Sequence, residues 1–286
     1  MAGRPQIDLA ALRARHPAHF AGFGRDRALA LGLALAAFAL LLFGMIWLGF
    51  FGDRVLKGFG ELGKVVVLML PPDPGSWAHV KLFTAALIET IAIALIGTLA
   101  AAVLALPFGL LAAKNVMTAK VLHFLTRRSL DTVRSIDILI WALIWINVVG
   151  LGPFAGALAI MTSDFGSFGK LFSEAIEASD RKPVEGITSA GGGRILGVRF
   201  GILPEVFPVL ASQVLYYFES NTRSATIIGI VGAGGIGLHL SEALRVLELK
   251  QASFIILMIL VAVAAIDLVS NQLRFALIGK RGQART

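Results

Sequence analysis

The sequence predicts an all-α integral membrane protein with about six transmembrane helices. Of its 286 residues, 57% are hydrophobic and 15% are charged, whereas a soluble domain carries about 25% charged residues. The mean hydropathy is +0.81. Long apolar segments recur along the chain, and most approach the roughly 20 residues that a helix needs to cross the hydrocarbon core. This composition favours a chain that faces lipid over much of its length.

The first element is a segment at residues 1–27, where we expect a short interfacial helix on the cytoplasmic side. The first span follows at 28–51 and has no charged residue. It is too long for the apolar region of a typical signal peptide, so we expect it to be retained. Residues 53–80 are expected to form an outer loop, stiffened by the prolines between 71 and 74.

Five further spans complete the predicted transmembrane domain of residues 28–278. The break between the third and fourth spans is placed at Gly150-Leu-Gly-Pro153, because glycine and proline together mark a turn. The fourth is the most polar, and the fifth begins at Leu203-Pro204. The predicted spans are 82–113, 134–150, 153–178, 203–230 and 252–278, and a tail follows at 279–286.

The basic residues predict the orientation of these spans. Eighteen of the 26 Lys and Arg residues, Arg274 among them, fall in segments that are cytoplasmic if both termini are cytoplasmic, and six fall in the outer segments. Such a bias is typical of cytoplasmic loops. We therefore interpret the net charge of +8 as contact with anionic lipid headgroups and exclude nucleic acid as a partner.

A polar, glycine-rich segment separates the fourth and fifth spans. We call residues 181–202 the coupling loop; its most informative part is Pro183–Pro204. A connector between spans needs only a few residues, so a polar insertion of this length indicates a docking surface for another protein.

Polar residues within the fifth span form the second candidate site: Glu219, Asn221, Arg223 and Ser224. Glu219 and Arg223 are four residues apart and can pair on one helix face. One interpretation is a structural ion pair. The other is a polar stripe that lines the path of a hydrophilic solute, where arginine suits an anionic group.

A glycine run at 232–237 matches a dinucleotide-binding pattern by its letters. That pattern needs a strand, a helix and a soluble sheet, whereas this run follows a membrane span. We predict instead that Gly232, Gly234, Gly235 and Gly237 permit close packing or chain reversal, and that they act as a gate beside the path.

Several kinds of chemistry have no signature here. The chain has no cysteine, its five histidines lack metal-ligand spacing, and neither a nucleophile elbow nor a phosphate-binding loop occurs. We therefore expect no metal, no cofactor and no enzymatic activity. If the chain takes part in ATP-driven transport, we expect the ATPase to be a separate chain.

The coupling loop resembles that of the membrane subunits of bacterial ABC importers. Their pattern is Glu-Ala-Ala, three residues, Gly, nine residues, then Ile-x-Leu-Pro, and Glu185, Gly191, Leu203 and Pro204 match it at the same spacing. Gly186 and Ile187 replace the alanines, and Gly201 replaces the isoleucine.

Within that family the chain is most similar to phosphonate permeases. The similar stretches include Arg134-Ser-Ile, Gly150-Leu-Gly-Pro-Phe-Ala-Gly156 and the run from Ile228 to Gly237, with Asp137 where relatives usually have proline. Methionine permeases share the glycine-rich run. The resemblance implies transport of phosphonate, phosphate or phosphite, with methionine or another small polar solute as the alternative, and a secondary carrier or channel as a weaker one.

The resemblance also implies a type I ABC importer architecture with a cytoplasmic coupling helix. The residues implied to contact the ATPase are Glu185, Gly186, Ala190, Gly191, Gly192, Arg194, Leu203 and Pro204. The implied partners are a pair of ABC ATPase subunits, an extracytoplasmic substrate-binding protein, and a second permease copy or a close paralogue. The implied location is the bacterial inner membrane.

Overall fold

The computed structural model describes residues 25–50 and 52–282, together with Ala14. Every regular element in these ranges is helical, which confirms the predicted all-α class. Most of the predicted segment 1–27 and the last four residues of the predicted tail lie outside the described residues. The chain divides into two compact units, residues 1–67 and residues 68–286.

The first unit contains helix α1 (Arg25–Trp47) and most of helix α2 (Asp53–Leu68). The part of α1 from Arg27 to Trp47 is apolar on every side and has no buried residue, as expected of a helix surrounded by lipid. We predicted an outer loop at 53–80, but its first part, Asp53–Leu68, forms helix α2. Apolar residues recur at helical spacing in α2, and Lys64 pairs with Glu61 one turn earlier (2.7 Å).

The second unit contains the remaining helices. They are α3 (Trp77–Ala112), α4 (Lys120–Arg134), α5 (Ile138–Val149), α6 (Pro153–Glu177), α7 (Lys182–Ser189), α8 (Arg194–Leu196), a π-turn (Gly197–Ile202), α9 (Leu203–Ile230), α10 (Ile236–Arg245) and α11 (Leu249–Gly282). Helix α10 lies between two predicted spans, in a segment for which we had predicted no element.

Helices α3 and α6 form the centre of this unit through small residues. A methyl group added at Gly97 of α3 would lie 2.8 Å from the Ile160 side chain, and one at Gly109 would lie 2.9 Å from Phe172. The buried face of α3 continues with alanines between these glycines. Small residues let helix backbones approach closely where no hydrophobic effect drives association, as in lipid. The α3–α6 contact therefore follows from side-chain size.

Four described helices are long and apolar enough to cross a membrane, or five if α4 and α5 count as one bent span. The prediction was about six. With the bent pair counted as one span, the difference lies at the predicted span 153–178, because its helix α6 carries Asp164, Lys170 and Glu174 and is too polar by composition. Helix α6 contacts α3, α4, α5 and α9, so much of its surface faces protein instead of lipid.

A sharp bend lies at the start of the predicted span 134–150. Helix α4 ends at Arg134, and the axis of α5 is turned by 87° from that of α4. Asp137 lies at this corner and caps α5: its carboxylate accepts a hydrogen bond from the Leu139 N–H (2.8 Å). A cap residue adopts an extended backbone, which ends one helix and starts the next. Asp137 thus performs a local structural role at the bend between α4 and α5.

Helix α9 is anchored in two of the three apolar clusters of the unit. Val206 and Leu210 near its start pack with Phe168 and Phe172 of α6. Ala225 and Ile228 near its end pack with the opposite half of α6. Helix α9 therefore connects the coupling loop to the centre of the bundle.

Candidate functional site

The coupling loop folds as a short exposed helix, α7, that is closed by glycine. Gly191 has a positive φ of 82°, and its N–H donates to the Thr188 carbonyl (2.9 Å), while the Gly192 N–H donates to the Ile187 carbonyl (2.8 Å). This pair of bonds is a Schellman motif, which ends a helix and usually needs glycine at the left-handed position. The glycines at 191 and 192 therefore fix where α7 stops and where the chain turns.

Two apolar side chains attach α7 to the rest of the protein. Val184 and Ile187 are half-buried and lie against Gly201, where an added methyl group would be 3.0 Å from Val184 and 3.4 Å from Ile187. Gly197 makes a similar contact with Val184. Gly201 thus makes room for α7, which explains why it replaces the bulkier residue of the family pattern. At Gly186 an added methyl group would meet nothing within 4 Å, so packing does not explain that glycine.

The outer surface of α7 is exposed and accessible to a partner protein. Glu185, Gly186 and Ala190 are all exposed, as is Gly191. Glu185 lies in the first turn of α7, where a carboxylate is favoured by the helix dipole. The predicted docking residues on α7 therefore share one accessible surface.

The remaining predicted docking residues lie beyond this surface. Arg194 donates to the Thr118 hydroxyl (3.2 Å), on the loop that follows α3. Leu203 and Pro204 form the first turn of α9, and Pro204 suits that position because its missing N–H needs no partner there. These residues connect the coupling loop to the bundle.

Two glutamates flank the coupling loop, one before it and one after it, and neither was predicted as a site residue. The Glu205 carboxylate accepts a bond from the Asp180 N–H (3.1 Å), which joins the start of α9 to the residues before α7. The Glu177 carboxylate accepts from the Lys114 N–H (2.9 Å) and from Arg127 (3.2 Å). The sequence shows these glutamates next to helix ends, but their partners are distant in the chain.

The predicted polar residues of α9 separate onto two faces. Glu219 pairs with Arg223 one turn later (3.3 Å), as predicted, and its second oxygen pairs with Arg274 of α11 (3.1 Å). The Glu219 side chain is 11% exposed, whereas that of Arg223 is 50% exposed. Arg274, which the charge count had assigned to the cytoplasmic side, therefore bonds a residue in the middle of α9. We call these three residues the Glu219 cluster.

Asn221 points away from the Glu219 cluster and into the centre of the bundle. Its amide donates to the buried Asp164 carboxylate of α6 and to the Thr98 hydroxyl of α3 (2.8 Å). The Thr98 hydroxyl in turn donates to the Ala94 carbonyl (2.7 Å). This Asp164–Asn221–Thr98 network joins three helices, because buried polar groups require hydrogen-bond partners.

Ser224 contributes to neither network. Its hydroxyl donates to the Ser220 carbonyl of the preceding turn (3.4 Å), and its side chain is half-buried. The four predicted path residues are therefore not gathered around one cavity in the single chain.

The glycine run 232–237 forms a tight reversal against α3 and α6. Gly232, Gly234 and Gly235 all have positive φ, and an added methyl group at Gly234 would lie 2.7 Å from the Pro153 nitrogen. The Gly235 N–H donates to the Glu89 carboxylate (3.0 Å), and the Ile236 N–H donates to the Thr90 hydroxyl (2.8 Å). At Gly237 an added methyl group would clash with backbone atoms of α9. Close packing is thus the observed arrangement, and the gate stays a prediction.

Among the described residues, no group of three or more His, Asp or Glu side chains is placed to hold a metal ion.

Comparison with known proteins places the chain among transport proteins. Residues 105–281 match the family described as binding-protein-dependent transport system inner membrane component. The phosphite transport system permease protein PtxC of Stutzerimonas stutzeri is 32% identical over 269 residues, covering 93% of this chain and 97% of the relative. The phosphate-import permease protein PhnE of Mycolicibacterium smegmatis is 38% identical over 210 residues, which is 73% of this chain but only 39% of that longer relative.

The fold is also similar to a solved structure. A chain of the MetNI methionine ABC transporter, in an inward facing conformation, superposes with a TM-score of 0.62 over 71% of this chain and 99% of that chain, at 19% identity. This likeness supports the type I importer fold. The family match covers more than half of the chain, and the PtxC relative covers nearly all of it. The chain therefore belongs to the family of inner membrane components of binding-protein-dependent transport systems.

Proposed function

We propose that the chain is the membrane-spanning subunit of an ATP-driven ABC importer for a phosphorus oxyanion, with phosphonate, phosphite and phosphate as candidate substrates. The observation that carries this proposal is the similarity to a phosphite permease over 93% of the chain. The similarity to the phosphate-import permease protein PhnE supports the same substrate class. The chain itself changes no bond, and ATP hydrolysis belongs to a separate ATPase subunit.

The exposed helix α7 is the proposed contact with that ATPase. Its free surface carries Glu185, and its other side rests on the π-turn that leads into α9. A displacement of α7 would reach α9 through Val184 and through the Glu205–Asp180 bond. Asn221 of α9 in turn donates hydrogen bonds to Thr98 of α3 and Asp164 of α6. This continuous set of contacts supports mechanical coupling between ATP-driven closure of the ATPase subunits and movement of the membrane spans.

The proposed transport path uses the exposed Arg223 as its anion-attracting group. Its guanidinium shares Glu219 with Arg274, so the carboxylate does not fully neutralise the two arginines of the Glu219 cluster. A planar guanidinium binds phosphoryl oxygens in a bidentate manner. The proposal includes a second permease copy or a paralogue, whose α9 would complete the path. It also includes cytoplasmic positions for both termini of the chain.

Reconstitution tests this function. The permease and its ATPase partner would be placed in vesicles with the binding protein, and ATP-dependent uptake of labelled phosphonate, phosphite, phosphate and methionine would be compared. We expect uptake of one or more phosphorus oxyanions and none of methionine. Uptake of methionine alone would overturn the substrate class, and uptake without any ATPase would instead indicate a secondary carrier or channel.

A further inference from the structure

Helix α2 has an apolar side that the function proposed above does not use. Phe59, Leu62 and Val66 are three and four residues apart, so they lie on one side of the helix. Their side chains are 70%, 58% and 49% exposed. Large apolar side chains that are exposed together mark a surface that meets a membrane or another protein.

The opposite side of α2 is charged. Lys57, Glu61 and Lys64 are exposed and recur at the same helical spacing, and Lys64 pairs with Glu61. A helix that combines a charged side with an apolar side carrying an aromatic residue is typical of the membrane–water interface. In that position the charges of α2 meet water and headgroups while its apolar side meets acyl chains.

The composition of α2 requires a partner for its apolar side. The helix contains Gly58, Gly60 and Gly63, and a methyl group added at any of them would meet nothing within 4 Å. Glycine disfavours a helix in water, where a helix of 16 residues is marginal even with better helix formers. The stability of α2 therefore has to come from burial of its apolar side.

The preceding span brings α2 to the membrane surface. The part of α1 from Arg27 to Trp47 has 21 residues, so it is about 31 Å long, which matches a hydrocarbon core of about 30 Å. Trp47 then lies at the interface, where tryptophan is enriched. Only residues 48–52 separate Trp47 from α2. At no more than about 3.5 Å per residue, α2 begins within about 20 Å of the end of α1.

The following span holds α2 on the same side of the bilayer. A chain that crosses the membrane in α1 and crosses back in α3 keeps residues 48–76 on one side. Only residues 69–76 separate α2 from the start of α3. Both ends of α2 are thus connected to membrane spans by short segments, and its apolar side is available at the level where lipid begins.

We propose that α2 lies along the membrane–water interface and binds the lipid bilayer through Phe59, Leu62 and Val66. The partner is the bilayer rather than another protein, because the short connections at both ends keep this apolar side next to lipid. Lys57 and Lys64 face the headgroups and water. The proposal holds for any transported solute and does not rest on the function proposed above.

Spin labels on single cysteines test this proposal, because the chain has no cysteine of its own. The purified full chain carrying Leu62→Cys or Lys57→Cys would be labelled and placed in vesicles of phosphatidylglycerol and phosphatidylcholine. Collisions of each label with oxygen, which concentrates in lipid, would be compared with collisions with a water-soluble nickel chelate. We expect oxygen to dominate severalfold at position 62 and the chelate to dominate at position 57. Dominance of the chelate at both positions would overturn the lipid contact, as would a label at position 62 that is immobilised by protein.

A second experiment tests which side of α2 carries the binding. With the label on Phe59→Cys, the added changes Leu62→Gln/Val66→Gln should raise collisions with the chelate severalfold. The matched control is Lys57→Gln/Lys64→Gln, which changes two residues on the charged side and should leave the label in lipid. The same exposure to the chelate in both backgrounds would show that the apolar side does not anchor α2.

Discussion

Single residues of α9 divide its polar surface between two tasks. Glu219 and Asn221 are two positions apart, so they point to nearly opposite sides of the helix. Glu219 meets arginines of α9 and α11, whereas Asn221 meets α3 and α6. One face thus carries positive charge that can attract an anion, and the other carries a hydrogen-bond network that joins three helices. Substitutions on the two faces should have different consequences.

The Glu219 cluster gives the first prediction. Arg223→Ala should lower uptake of the phosphorus oxyanion at least tenfold while leaving thermal stability of the complex within about 1 kcal/mol, because half-exposed ion pairs contribute about that much or less. Glu219→Gln should lower the thermal midpoint clearly, since Arg274 is only 21% exposed and would lose its carboxylate. Thermal unfolding and uptake would be measured on both variants. Failure of the Arg223→Ala complex to assemble would show that the pair is structural.

The Asp164–Asn221 pair gives the second prediction. Asn221→Leu should prevent stable assembly, because it leaves a buried carboxylate without its amide donor, at a cost of several kcal/mol. The exchange Asp164→Asn/Asn221→Asp keeps one amide and one carboxylate in the same place and should restore much of the stability. Size-exclusion profiles and thermal midpoints measure both. An exchange variant as unstable as Asn221→Leu would mean that shape, not hydrogen bonding, governs the site.

At the scale of elements, glycines decide how closely α7 and the glycine run approach their neighbours. Gly201 admits α7 onto the π-turn, and Gly235 places the start of α10 against Thr90. An added carbon at Gly201 would crowd Val184 (3.0 Å), and one at Gly235 would clash with the Thr90 hydroxyl. The departures from the family pattern are therefore of two kinds, one required by packing (Gly201) and one not (Gly186).

Restoring the family residue at each position gives the third prediction. Gly201→Ile should separate α7 from the π-turn and reduce ATP-dependent uptake severalfold, because Val184 and Ile187 already fill the space. Gly186→Ala should be tolerated and should stabilise α7 by about 0.5–1 kcal/mol, since alanine loses less backbone entropy in a helix. Uptake and ATPase co-purification would be compared for the two variants. Normal uptake by Gly201→Ile would show that the contact between α7 and the π-turn does not transmit movement.

At the scale of the whole molecule, α7 is joined to the bundle by a small number of contacts. Val184 and Ile187 pack on the π-turn, Glu205 bonds the residues before α7, and α9 continues from there into the centre of the second unit. The outer side of α7 makes no such contact among the described residues. Coupling should therefore be separable from folding.

Glu185→Lys gives the fourth prediction. The exposed reversal of charge should leave thermal stability nearly unchanged, because surface substitutions usually alter it by less than about 0.5 kcal/mol. It should abolish substrate-stimulated ATP hydrolysis and uptake, since the docking surface would carry the wrong charge. Glu248→Lys, between α10 and α11, is a matched control at another exposed glutamate. Full ATP-dependent uptake by Glu185→Lys would count against α7 as the docking element.

Much of the site's framework was predictable from the sequence because it depends on local order. The family resemblance implied a coupling helix in this loop, and the structure has the short helix α7, closed at Gly191. The pair of Glu219 and Arg223 followed from their four-residue separation. The bend at Asp137 and the helix α2 were missed, because a capping side chain and an amphipathic helix near a membrane leave weaker signals than a long apolar run.

The all-α class, the apolar helices and the family could be predicted from the sequence alone, since hydropathy and motif spacing are properties of the chain read in order. The tertiary structure decided which partners the polar groups have. It brought Arg274 to Glu219 and Asp164 to Asn221, and it placed the polar helix α6 among four others. The physical reason is that periodicity shows which residues share a helix face, whereas the neighbour of that face depends on how residues far apart in the chain pack together.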